Sequence, residues 1–434
     1  MTFPYVFPAV MAVVFSGSIL CRADAVGAAP PGGGTAPVSA AAPATVDLAQ
    51  AIRMALDAHP RLRAAEAASR AAAGRLQQSA ARPNPEIEAE VEDVGLRGDG
   101  FQSSTVTLRA GQVVELGGKR TARRQVAGLD LDLARRDADS ARVELVAEVK
   151  DRFRGVLVAR ERARAAGLSR DLAATVRDTV AERVRSGKVS PVALIKADVE
   201  LAGRRIEVQR AERSLSAASA ALQALWGEPP AVGGAIEALG DLREIPAVPD
   251  LEALMALLPR HPAWARGERE EDLARAHVAM ERAAAVPDVT LSAGLAHSRE
   301  DRAEAVEFAV SFPLPLFDRN RGAIAAAMAE ADRVRADQAA TRLALRSDLV
   351  SQWHEYQAAT AEARAIRDDI LPGARKAFDT AAEAYRSGRL EYLDVLDAQQ
   401  TLADAERHAI EALDAVHRSI GALERLVGGS LVQD

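Results

Sequence analysis

Hydrophobic and polar positions along this chain follow two periods, and the switches between them come twice in the same order. From Val46 to about Ala81 the spacing is that of an Ala-rich helix. PEIEAEVEDVG then changes period. Ile87, Ala89 and Val91 alternate with Glu86, Glu88, Glu90 and Glu92, which predicts a strand with one polar face. After a Gly/Ser/Asp-rich loop, SSTVTLRAGQV places Val106, Leu108 and Ala110 on one side. Helical periodicity returns from Arg120 to about Arg185, and past Arg-Ser-Gly a final helix runs back. The second round has a helix from about Leu251 to Ala285. Alternation follows at Val289, Leu291, Ala293 and Leu295, then at Val306, Phe308, Val310 and Phe312. Helix resumes from Gly322 to about Arg386, before a second Arg-Ser-Gly.

The two rounds are one unit written twice. Gly187 and Gly388 lie 201 residues apart, and His59-Pro60 recurs as His261-Pro262, Pro85 as Pro287 and Gly227 as Gly428. The repeats occupy 46–226 and 250–429, joined by a Pro/Gly-rich linker at 227–249 and followed by a tail at 430–434. Two copies are too few for a solenoid. Each His-Pro interrupts its helix, because the residue before proline is pushed out of the helical region and proline suits the first turn of a new helix. A helix of about 65 residues extends about 100 Å, too far for a compact globule. Ile370-Leu371-Pro372-Gly373 predicts a kink in the second long helix. The shorter helices sum to roughly the length of the long one, so two laid end to end can pair along it.

Four strands, expected at about 85–95, 104–114, 288–297 and 305–314, each have the ~10-residue length that crosses a bilayer when tilted. Unpaired edges cannot face lipid, and four strands cannot close a barrel with room inside. Several chains must then share one barrel, and three would supply twelve strands. Apolar faces would meet lipid while Glu86, Glu88, Glu90 and Glu92 line the lumen. A soluble hairpin with a solvated acidic face fits the strand pattern equally well. The duplication, the helix length and a secretory signal favour the barrel.

That signal is the nearly uncharged apolar run Phe3–Leu20, followed by Ala23-Asp24-Ala25 as a cleavage site, so 1–25 reads as a signal peptide. No basic residue precedes the run, and an uncleaved anchor is the competing reading, against which Pro4 and Pro8 count. Cys21, the only cysteine, excludes an intrachain disulfide. It is a candidate for lipidation, although Leu20 stands where lipoprotein signals want a small residue. Residues 26–45, rich in Ala, Pro and Gly, read as a flexible arm.

Charged residues at 27% and aromatics at 4% suit long helices better than a compact aromatic core. The net charge is −7 with basic and acidic residues interleaved, which argues against nucleic acid as a partner. The seven histidines are scattered and no HExxH or CxxC occurs, so no catalytic, cofactor or metal site is expected. His277 with Glu281, and Asp414 with His417, read as surface pairs. Gly117-Gly118 reads as a strand-to-helix corner. Energy for any transport must come from a partner.

RSGRLEYLDVLDAQQTLADAE and VRSGKVSPVALIKADVEL, with VELGGKR at 114–120 and FPLPLFDRNRG at 312–322, resemble segments of the TolC-type outer-membrane factor family (outer membrane efflux proteins). The last two resemble its heavy-metal-efflux branch, of the cobalt-zinc-cadmium or copper-silver type. The resemblance spans 46–429. It implies a mainly α protein with a membrane β part, three chains forming a twelve-stranded β-barrel continued by a long α-helical barrel in the periplasm. The implied function is a passive exit duct of a tripartite efflux pump in the bacterial outer membrane. Its implied partners are a periplasmic adaptor (membrane fusion) protein, an inner-membrane resistance-nodulation-division pump and outer-membrane lipid.

By the same resemblance Ser186, Gly187, Lys188, Ser387, Gly388 and Arg389 would touch the adaptor. Asp394 and Asp397 would ring the constricted periplasmic entrance. They are three apart and share a helix face, where acids also complement the helix dipole. Val192 and Ile195 stand near the equivalent places in the first repeat, so any acidic ring comes from the second alone. Tyr385 and Arg386 are candidates for lateral links whose partners the sequence does not reveal. A soluble periplasmic coiled-coil scaffold or adaptor is the alternative, although no lipoyl-like β domain lies between the helices. An enzyme on a helical scaffold lacks its catalytic constellation.

Overall fold

The computed structural model describes residues 45–93, 104–227, 236–299 and 302–431. The signal peptide, Cys21 and all of the predicted arm but Thr45 lie outside the described residues.

Strand β1 (Thr45–Asp47) leads into α1 (Leu48–Ala58) and α2 (Pro60–Ser79), followed by β2 (Glu86–Glu92) and β3 (Thr105–Val114). Helix α3 (Lys119–Arg185) then runs for 67 residues and α4 (Pro191–Gln223) returns. The second copy has β4 (Glu237–Leu239), α5 (Leu251–Leu257), α6 (Pro262–Ala284), β5 (Val289–Ser298) and β6 (Ala303–Ser311). Its long helix is divided into α7 (Arg321–Ala365) and α8 (Leu371–Arg386) by one π-helical turn, Ile366–Ile370, and α9 (Tyr392–Val427) returns. Pro372 sits in the first turn of α8. Having no N–H, and clashing with the carbonyl four residues back, it forces the ladder to yield just upstream. The yield takes the form of a Leu371 N–H bonded to the Ile366 carbonyl, the wider ring of a π turn.

Each His-Pro break is capped by its own histidine. The Nδ1 of His59 accepts from the Arg61 N–H at 3.2 Å, and that of His261 from the Ala263 N–H at 3.1 Å. Glycine closes each repeat onto its break. Gly227 (φ 78°) and Gly428 (φ 70°) lie so close that an added Cβ would come within 2.7 Å of the Ala58 and Arg260 carbonyl oxygens respectively. The end of α4 thus abuts the α1–α2 junction, and the end of α9 abuts the start of α6. Helices α2 and α4 both pack along α3, the end-to-end pairing that helix lengths suggested. Buried positions Leu145, Val149, Phe153 and Val156 of α3 follow helical spacing against this seam.

Two sequence expectations are corrected near the linker. A helix was expected to begin at Val46, but Val46 lies in β1, paired in parallel with Ala238 of β4, and Asp47 caps α1 by accepting from the Gln50 N–H at 2.6 Å. The predicted linker is also more than a spacer. Ile236, Ala238 and Leu242 are buried in the cluster that holds Phe153 and Trp226. Arg160 donates to the Ala238 and Gly240 carbonyls. A three-residue strand is too short to show a period, so only its burial reveals it.

Strands β2, β3, β5 and β6 form one antiparallel sheet in that order. Strand β2 stops at Glu92, short of the expected 95, where Asp93 turns to φ 57°. The register puts Ile87, Ala89 and Val91 opposite Ala110, Leu108 and Val106, and carries this face on through Leu291, Ala293 and Leu295 to Val310, Phe308 and Val306. Ile87 is 79% and Phe308 82% exposed, so nothing among the described residues covers this apolar face.

Candidate functional site

The two Arg-Ser-Gly turns lie side by side at one end of the helices. At the first, Gly187 takes φ 72° and the Lys188 N–H reaches back to the Arg183 carbonyl at 2.9 Å. At the second, Gly388 takes φ 79° and the Arg389 N–H reaches the Ala384 carbonyl at 2.8 Å. Both are Schellman closures, which need the left-handed conformation that glycine adopts without strain. Ser186, Gly187, Lys188, Ser387, Gly388 and Arg389 are all exposed on these turns.

One arginine, which the sequence reading missed, joins the turns. Arg183, near the end of α3, donates through Nη1 to the Tyr385 carbonyl at 2.5 Å and lies 4.3 Å from the centroid of the Tyr385 ring. Tyr385 is 2% exposed among Val180, Phe378 and Tyr392. Burial pushes its phenol pKa up, and pushes that of Tyr392 to about 12. Tyr385 thus meets the other hairpin through its carbonyl and ring face. Arg386 stays on its own helix, 3.7 Å from Glu383. The repeat hides Arg183, because Ala384 holds its place in the second copy. A second link runs from Arg204 of α4 to Gln400 of α9 at 2.8 Å, while Glu200 holds the same guanidinium at 2.7 Å.

Asp394 and Asp397 are both exposed at the start of α9. Asp394 forms a capping box with Glu391, accepting the Glu391 N–H at 3.0 Å. Asp397 lies almost one turn on. In the first repeat the corresponding Val192 and Ile195 are exposed apolar residues.

On the sheet, Glu86, Glu88, Glu90 and Glu92 share the face opposite the apolar one, together with Thr107, Arg109, Ser292, Gly294 and Glu307. Arg109 is the one basic side chain on that face among the described strand residues. Its Nη1 lies 2.6 Å from Glu90 and its Nη2 3.0 Å from Glu307.

The corners between strand and helix are stitched across the repeats. Lys119 pairs with Asp288 at 2.7 Å, and Asp288 also accepts the Leu116 N–H at 3.0 Å. Gly118 (φ 75°) and Asn320 (φ 55°) are the equivalent left-handed caps of α3 and α7. Asn320 donates to the Glu281 side chain and carbonyl, each at 2.8 Å. Glu281 is thus a structural anchor. His417 is another, with Nε2 2.8 Å from the Leu242 carbonyl, and Asp414 pairs with Arg154 and Arg418. Among the described residues no three His, Cys, Asp or Glu side chains gather as metal ligands, and no helix is long and apolar enough to cross a membrane.

Comparison with known proteins agrees with this architecture. The chain is 34% identical over 392 residues to the cobalt-zinc-cadmium resistance protein CzcC of Cupriavidus metallidurans, covering 90% of this chain and 92% of that one. It is 26% identical to the pyoverdine export outer membrane protein OpmQ of Pseudomonas aeruginosa, covering 76% and 71%. Its fold matches that of the outer membrane protein VceC from Vibrio cholerae with a TM-score of 0.72 at 20% identity, covering 89% and 97%. The family model for outer membrane efflux proteins matches residues 51–228 and 254–429, one match for each repeat. The chain belongs to the outer membrane efflux protein family.

Proposed function

We propose that this protein is the outer-membrane exit duct of a tripartite efflux system, and that its cargo is heavy-metal cations. The observation that carries the duct is the sheet. Among the described residues it has one apolar face with no cover, one acidic face, and open edges at β2 and β6. Open edges cannot face lipid. Three copies, each pairing its β2 with a neighbour's β6, satisfy every strand and make a twelve-stranded barrel, apolar outside and acidic within. Residues 1–25 direct secretion in this reading. The metal cargo rests on the likeness to the cobalt-zinc-cadmium resistance protein over nine-tenths of the chain, and on an acidic lumen that favours cations.

The helical hairpins extend from the sheet to the paired turns, which form the periplasmic mouth. Ser186, Gly187, Lys188, Ser387, Gly388 and Arg389 are its outermost exposed residues and form the surface for a periplasmic adaptor, itself coupled to an inner-membrane resistance-nodulation-division pump. Asp394 and Asp397 occur three times around this mouth, and Arg183 holds the two hairpins of each chain together there.

Mass determination of the detergent-extracted particle, followed by single-channel recording, tests the duct. A conducting trimer is expected, and a water-soluble monomer would overturn the reading. Cargo is tested by deletion in the native host: sensitivity to cobalt, zinc or cadmium is expected. A strain impaired only in siderophore release would reassign the cargo.

A further inference from the structure

Resting on the duct reading, we infer that Arg109 is the residue that sets the ion selectivity of the barrel lumen. It stands halfway along β3, in a row where the register aligns Glu88, Arg109, Gly294 and Glu307 across all four strands. The guanidinium does not project from the sheet. It lies along it, crossing β5 to reach Glu307 through Nε at 3.2 Å and Nη2 at 3.0 Å, while Nη1 holds Glu90 at 2.6 Å and Glu88 stands 4.0 Å away.

Gly294 makes that path available. A Cβ there would fall 2.7 Å from the Arg109 Cγ and 2.8 Å from the Leu108 carbonyl oxygen, so any side chain would lift the arginine off the wall. Gly294 is not in a positive-φ conformation, so space rather than backbone strain selects glycine.

The consequence is electrostatic. The acidic face carries five strand carboxylates, Glu86, Glu88, Glu90, Glu92 and Glu307, and Arg109 fixes two of them to the wall at mid-barrel. Glu86 and Glu92, toward the two ends of β2, have no ion-pair partner among the described residues. At mid-barrel Glu88, Glu90 and Glu307 face one arginine, which offsets one of their three charges per chain, while Glu86 and Glu92 stand singly toward the two ends. A cation is attracted in, and Arg109 lowers the net negative charge that it meets where the pore is flanked by low-dielectric lipid and fields are strongest. Lumen-facing charges of this kind tune selectivity.

Reversal potentials of the purified channel in a KCl gradient test this, because a purely structural ion pair would leave them unmoved. Arg109→Gln removes the one basic side chain of this face among the described strand residues, and the K+/Cl− permeability ratio should rise roughly twofold or more. The double variant Glu90→Gln, Glu307→Gln removes two negative charges and should shift the ratio the opposite way. If Arg109→Gln fails to assemble, the double variant carries the test alone. Wild-type reversal potentials in the assembled variants would overturn the role of Arg109. A wild-type protein that does not conduct would instead sink the duct itself, and this inference with it.

Discussion

Arg183 and Tyr385 join the two helical hairpins of the chain at their shared end: the guanidinium donates to the tyrosine carbonyl and covers the ring 4.3 Å from its centroid. The same carbonyl accepts the Gly388 N–H at 2.9 Å, so the arginine adds a second donor, from the other repeat, at the C-terminal end of α8. This single side chain from the first repeat therefore caps a helix of the second.

Arg183→Ala should loosen the mouth. Loss of a partly buried cation–π contact and a charged hydrogen bond costs about 1–2 kcal/mol. Greater single-channel conductance with an unchanged trimer is expected. Arg183→Lys, which keeps charge without the planar fork, should recover only part of the closed behaviour. A conductance equal to wild type in both variants would show that the hairpins are held elsewhere.

Asp394 and Asp397 should separate by experiment. Asp394 caps α9, so Asp394→Ala is expected to cost about 1 kcal/mol and raise hydrogen exchange at residues 391–395. Asp397 has no such bond, and Asp397→Ala should leave exchange unchanged while reducing cation selectivity. Together the substitutions should raise conductance. If neither alters the channel, the acidic ring has no part in the gate.

Acid should weaken the α6 cap. Burial holds His261 below its ordinary value of 6.5, and its Nδ1 is an acceptor, which requires that nitrogen unprotonated. The folded chain therefore binds fewer protons than the unfolded one at this site. The stabilisation is complete above pH 6.5 and is lost as pH falls through the lower folded value. Amide protection at Ala263 and Trp264, measured against the intrinsic exchange rate at each pH, should fall on acidification. His261→Asn, an N-cap without that titration, should flatten the profile.

Gly227→Ala and Gly428→Ala test how each repeat closes. Both glycines have positive φ, and a Cβ would meet a carbonyl oxygen at 2.7 Å. Strain and collision together should cost about 2–3 kcal/mol, read as a lower Tm of the trimer. By contrast Gly421→Ala, at an open helical site, should raise stability slightly.

How much of this was legible beforehand depended on how local the cause was. Periodicity located α3, whose 67 residues carry the pattern many times over. It missed β1 and β4, three residues each, which exist because Val46 and Ala238 are buried together. Asp394 and Asp397 were visible as acids on one face, but the capping box that employs Asp394 required the backbone conformation of Glu391. Arg183 carried no signal, since duplication directs attention to what both halves share and Arg183 is where they differ.

By itself the sequence determined the order of the long helices and of the four longer strands, the duplication, the turns at Gly187 and Gly388, and which strand face is apolar. Each follows from interactions within a few residues: side-chain period, proline's missing donor, glycine's tolerance of positive φ. Tertiary structure alone decided that β3 lies against β5, that the linker returns to the core, that Arg183 meets Tyr385, and that Arg109 crosses Gly294 to Glu307. Those pairs are separated by between 78 positions (Arg160 and Ala238) and 202 (Arg183 and Tyr385), and no periodicity spans such a distance. Only packing, which removes the alternatives by excluded volume and unsatisfied polar groups, selects them.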